Sequence, residues 1–174
     1  MHDVPVKRCS LLVAAVAALA LVVASAAASA QPKRLNKSQW AAYQTANTAY
    51  ATQTPKSVAR FRFCRNSTKY NSNLDAFGRC IGTAAAREVA VTNNLSTVLN
   101  GFEQKVGGDC QKTMGAYQGA LFFWKSAVIG VQRAIKTHAA NVATVEGQAA
   151  NAVLSAQRVA SSATAFAKAC KPLP

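Results

Sequence analysis

Carboxylates are the scarcest chemical resource in this chain. Six Asp and Glu stand against 20 Lys and Arg, a formal net charge of +14, and residues 31–74 contain no acid at all. Histidine is scarcer still: His138 is the only one after residue 30. An enzyme needs an acid, a base or a nucleophile held in a pocket, and the supply here is thin. A Ser-His-Asp arrangement would have to use His138, yet no G-x-S-x-G elbow surrounds any serine. No C-x-x-C pair exists, which leaves a metal site without its usual ligand spacing, and no C-x-x-C-H excludes a covalently attached haem. The spacing of Met114 and His138, about 36 Å along one predicted helix at about 1.5 Å per residue, argues against a non-covalent haem held by Met114 or His138. No catalytic residue, metal or cofactor is therefore expected. Glycine and proline are sparse inside long stretches, and few segments read as strands.

The one long hydrophobic run is also limited. Residues 11–24 are apolar over about 14 positions, short of the roughly 20 that a membrane span needs. Lys7 and Arg8 precede the run, and Ala28-Ser29-Ala30 follows it as an A-x-A site before Gln31. That is the layout of a secretory signal peptide. Val6-Lys7-Arg8 before Cys9 is not a lipobox. The expected organisation is a signal peptide at 1–30, a flexible basic tail at 31–35, and one helical-bundle domain at 36–174. The expected location is secreted or periplasmic, in the cell envelope, and the alanine-rich composition points to a bacterial source. Without residues 1–30 the chain keeps 18 Lys and Arg against five acids, Asp75, Glu88, Glu103, Asp109 and Glu146.

What remains is strongly helical in pattern. From 109 to about 140, Met114, Tyr117, Leu121, Trp124, Val128, Val131, Ile135 and His138 recur at steps of three and four. Gly107-Gly108 ends the element before it, and Asp109 reads as its N-cap. Phe122, Phe123 and Ile129 lie off this seam, so the helix is either deeply buried or displays an aromatic patch. The last helix carries a small-residue seam of Val142, Val145, Ala149, Ala152, Ala156, Val159, Ala163, Phe166 and Cys170. Ser72-Asn73-Leu74-Asp75 is a capping box opening a helix to about 106, with Leu74, Phe77, Ile81, Ala84, Glu88, Val91, Leu95, Val98 and Phe102 as its seam. A first helix over about 36–52 presents Trp40, Tyr43, Ala46 and Tyr50, and Thr54-Pro55 starts a separate shorter one. The fold class is all-α: an up-and-down bundle of four to five helices.

Four cysteines follow residue 30, and an even number in an exported chain reads as two disulfides. Cys64 and Cys80 are symmetric about the polar loop at 66–73, and Cys110 and Cys170 about residue 140. Pairing Cys64 with Cys80 and Cys110 with Cys170 would staple two helical hairpins. A turn at Gly147 instead would offset Cys110 and Cys170 by about 21 Å at about 1.5 Å per residue, too far for a bond.

Two surfaces or sites are candidates for function. The acid-free stretch holds Lys33, Arg34, Lys37, Lys56, Arg60, Arg62, Arg65 and Lys69. Lys56, Arg60, Arg62, Arg65, Lys69 and Arg79 are the expected anion-binding residues, with Phe61 and Phe63 interleaved. The expected partner is an anionic envelope polymer, lipid headgroups or an acidic protein; nucleic acid suits an exported protein less well. The alternative is a sensor or carrier with an internal small-molecule pocket formed by Glu88, Tyr117, Phe123 and Trp124. Glu88 itself has three readings: a register-setting partner for a base, the lining of a polar cavity, or a seam-edge residue in water. Asn36, Asn66 and Asn94 each begin an N-x-S/T acceptor pattern.

Overall fold

The computed structural model describes residues 34–67, 74–136 and 142–174. Four α-helices and one short 3-10 turn make up its regular structure, with no strand among the described residues. Helix α1 is Lys37–Ser67, α2 is Leu74–Asn100, α3 is Gly108–Lys136 and α4 is Val142–Cys170. Packing runs in chain order, α1 on α2, α2 on α3 and α3 on α4. No helix among the described residues is long and apolar enough to cross a membrane.

Helix α1 starts at a reciprocal cap. The Gln39 backbone N–H donates to Asn36 Oδ1 at 2.8 Å, and the Asn36 N–H donates to Gln39 Oε1 at 2.9 Å. The helix then runs through Pro55 rather than breaking before it, so the two helices expected at 36–52 and from Thr54 are one. Proline removes the N–H that would bond the Ala51 carbonyl, but Ala51 is exposed and water can take that bond. Tyr50 and Ser57, on either side, are both buried and hold the two halves in line.

Helix α2 buries Phe77, Ile81, Ala85, Glu88, Thr92, Leu95 and Leu99. Ala84, Val91 and Val98, expected on the seam, are only half-buried. The helix packs on both α1 and α3, so its buried arc is wider than one seam, and Thr92 can enter it because its hydroxyl donates to the Glu88 carbonyl at 2.8 Å. The helix ends at Asn100, short of the expected 106. Gly101 N–H bonds the Thr97 carbonyl, Phe102 N–H bonds the Leu99 carbonyl, and a 3-10 turn follows at Glu103–Lys105. Phe102 and Val106 are buried, which draws this turn onto the core. Gly108 takes φ +59, a left-handed conformation that favours glycine, and is itself the first residue of α3. Asp109 thus sits in the first turn of α3 rather than at its cap, where its charge still suits the helix dipole.

Helix α3 buries seven of its expected seam residues, Met114 through Ile135; the eighth, His138, lies outside the described residues, as do Ser72 and the turn near residue 140. Helix α4 buries Val159, Phe166 and Cys170 and half-buries Ala152, Ala156 and Ala163, and it runs unbroken through Gly147. The Cys64–Cys80 and Cys110–Cys170 disulfides are both formed, with Cα separations of 5.7 and 4.7 Å.

The main core gathers residues from all four helices, with ring contacts from Tyr43 to Phe166 and from Phe166 to Tyr117. Leu35, placed in the tail by the sequence reading, is 3% exposed, and its N–H donates to the Cys170 carbonyl at 3.1 Å. Arg34 Nη1 donates to the Lys171 carbonyl at 3.0 Å, so both ends of the bundle domain are tied together.

Candidate anion-binding end and buried polar core

A second, smaller apolar cluster organises one end of the bundle. Cys64 from α1, Phe77 and Ile81 from α2, and Val131 and Ile135 from α3 pack together there. The Cys64–Cys80 bond fixes the end of α1 against the start of α2. The cations of three helix ends therefore converge around this cluster: Arg60, Arg62 and Arg65 from α1, Arg79 from α2, and Arg133 and Lys136 from α3, all exposed. Arg79 and Lys136 line one open cleft of about 360 Å³, together with Asp75, Gln132 and the glycines of α2. Asp75 is the only acid described at this end.

The six expected anion-binding residues do not share one face. At about 100° per residue, Lys56, Arg60 and Phe63 fall on one flank of α1. Arg62 and Arg65 lie on the other flank, roughly 120–180° round the helix. Arg60 is held by two contacts. Its Nε donates to the Cys80 carbonyl at 3.2 Å, and its guanidinium lies 5.1 Å from the exposed Phe63 ring. Phe61, in contrast, is half-buried between the two core clusters. Lys69 lies outside the described residues. Arg133 and Lys136 were not singled out from the sequence, because they lie more than 65 residues beyond Arg65 and meet it only through the fold.

The pocket candidates divide differently. Glu88 is 1% exposed, at the centre of the α1–α2–α3 packing. Its Oε1 accepts hydrogen bonds from Thr54 Oγ1 at 2.7 Å and from Trp124 Nε1 at 2.8 Å. Its Oε2 is buried with no hydrogen-bond partner. Glu88 is therefore not a seam-edge residue in water, and both of its partners are neutral. Around it run further internal polar contacts. Ser57 Oγ donates to the Ala84 carbonyl at 3.3 Å, and Tyr117 donates to Asn47 Oδ1 at 3.1 Å. Burial pushes the Tyr50 phenol far above its ordinary value; a hydrogen bond with Thr54 opposes this and the Glu88 carboxyl adds to it. Burial likewise raises the Tyr117 phenol, with Tyr43 and Tyr50 adding to the effect.

Phe123 is not part of this interior. It points outward and lines an open cleft of about 310 Å³ between α3 and α4, with Ser126, Leu154 and Arg158. Glu88, Tyr117 and Trp124 line neither of the two clefts. Among the described residues no group of His, Cys, Asp and Glu could hold a metal ion. Comparison with protein-family models, with curated proteins and with solved structures returned no match.

Proposed function

We propose that this chain is an exported, basic helical-bundle protein that binds an anionic partner rather than catalysing a reaction. Residues 1–30 act as a cleaved signal peptide, and the mature protein works outside the cytoplasm, in the cell envelope or beyond. The partner class is an acidic envelope polymer, lipid headgroups or an acidic protein surface. The observation that carries this reading is the gathering of Arg60, Arg62, Arg65, Arg79, Arg133 and Lys136 at one end, with Asp75 the only described acid nearby. Like charges brought together by a disulfide and a small core repel, and an anion relieves that repulsion.

The sensor or carrier reading draws on the unpartnered Oε2 of Glu88. It is the weaker of the two, because both described clefts are lined by other residues.

A salt titration tests the first reading. Affinity for an acidic polymer should fall steeply as ionic strength rises from about 0.1 to 1 M, where the screening length shrinks from about 10 to about 3 Å. The triple variant Arg60→Ala, Arg79→Ala, Lys136→Ala should bind more weakly, and with a shallower salt dependence. A protein with no salt-sensitive affinity for acidic polymers or anionic vesicles would sink the proposal.

A further inference from the structure

Three of the exposed large apolar side chains among the described residues lie away from the basic end. Phe122 and Phe123 of α3 are 59% and 54% exposed, and their rings touch edge to face at 5.8 Å between centroids. Leu154 of α4, 55% exposed, shares the cleft that Phe123 lines. Three large apolar side chains thus form a ridge across two neighbouring helices. Leaving them in water forfeits the favourable transfer of apolar surface, about 25 cal/mol per Å².

The one charged residue that lines the Phe123–Leu154 cleft is a cation, Arg158. Residues 110–145 and 147–174 contain no acid, so Glu146 is the only carboxylate along α3 and α4 beyond Asp109. Arg158 lines the same cleft as Phe123 and Leu154, and Lys125, three residues after Phe122, lies on the Phe122 flank of α3. The two rings stand at 72° to each other, so they offer no common flat face. A nucleic-acid strand or a sugar chain would need such a platform for stacking. A lipid interface does not. It accepts projecting apolar side chains into the acyl boundary while lysine and arginine pair with anionic headgroups.

We infer that the ridge of Phe122, Phe123 and Leu154 is a peripheral docking face for an anionic lipid surface, with Lys125 and Arg158 taking the headgroups. This rests on the reading of an anionic partner and narrows it to lipid. The apolar side chains enter the interface without any helix crossing it.

Sedimentation with large unilamellar vesicles tests the inference, using phosphatidylglycerol–phosphatidylcholine mixtures against pure phosphatidylcholine. Dextran sulfate serves as a polymer probe with no apolar phase. The wild-type protein should sediment with the anionic vesicles at 0.15 M salt and not with the neutral ones. The double variant Phe122→Ser, Phe123→Ser should bind those vesicles about tenfold more weakly while its dextran sulfate affinity is unchanged. Arg158→Glu should weaken vesicle binding as well, and Leu154→Ser gives an independent apolar change should the double variant lose its helical circular dichroism. Vesicle binding that survives all of these substitutions would overturn the docking face. So would binding to dextran sulfate, or to an acidic polypeptide such as polyglutamate, without binding to vesicles, although the anionic-partner reading would then stand. Failure with every anionic probe would overturn both.

Discussion

Glu88 concentrates the tension in this protein at the scale of a single residue. A buried carboxyl group gains stability only if its oxygens are hydrogen-bonded, and here one oxygen takes two donors and the other takes none. The donors come from α1 and α3, so the group ties three helices at one point. Glu88→Gln keeps the accepting oxygen for Thr54 and Trp124 and removes any formal charge from the interior. Its stability should stay within about 1 kcal/mol of the wild type. Glu88→Ala removes the shared acceptor, strands the Trp124 N–H and opens a void, and should cost about 2–4 kcal/mol. Urea denaturation of the two variants measures both. Equal losses would show that the charge, not the accepting oxygen, supports the fold. The sequence marked Glu88 as the odd residue on an apolar seam. It did not reveal the partners: Thr54 reads as a helix start beside Pro55, and Trp124 reads as one more apolar position.

At the scale of helices, the periodicity of apolar residues located the elements well and their ends poorly. The α3 seam from Met114 to Ile135 is buried as its spacing predicts, because one broad face meets both neighbours. Boundaries depended on events outside the periodicity. Tertiary packing carries α1 through Pro55, and the burial of Phe102 and Val106 bends the chain after Asn100. The Asn36–Gln39 cap was legible in principle as N-x-x-Q, although the pattern is too short to stand out. Close approach between helices was not legible. A Cβ on Gly78 would lie 2.5 Å from Ile135 Cγ2, whereas a Cβ on Gly82, one turn on, would meet nothing within 4 Å. Alanine is the better helix former by about 1 kcal/mol, so Gly82→Ala should stabilise the protein by about 0.5–1 kcal/mol. Gly78→Ala should instead lose about 1–2 kcal/mol, as overpacking outweighs that gain. Matched denaturant midpoints for the two variants would show that α2 and α3 do not meet as closely here as the geometry requires.

For the whole molecule, the two disulfides do different work. The symmetry of the cysteines about two predicted turns was enough to read their pairing, since antiparallel neighbours at matched height bring the Cα atoms into range. The gathering of cations was only half readable: the acid-free stretch of α1 is a local feature, but Arg133 and Lys136 join it through the fold alone. Cys110–Cys170 closes a loop with a sequence separation of 60, against 16 for Cys64–Cys80. On chain entropy the first should contribute about 4 kcal/mol and the second about 3 kcal/mol. The paired variants Cys110→Ala, Cys170→Ala and Cys64→Ala, Cys80→Ala should lose stability in that order. Their effect on binding should be reversed. The longer loop ties the N-terminal segment and α3 to the end of α4, through the bond itself and the Leu35–Cys170 contact, far from the converged arginines. The shorter loop holds Arg60 against the Cys80 carbonyl and keeps α1 beside Arg79. Under conditions where both variants remain folded, loss of Cys64–Cys80 should therefore weaken affinity for a polyanion, and loss of Cys110–Cys170 should leave it nearly unchanged. Denaturation curves and polyanion titrations on the same preparations would separate the two effects. Equal loss of binding in both variants would mean that overall stability, not the arrangement of that end, governs recognition.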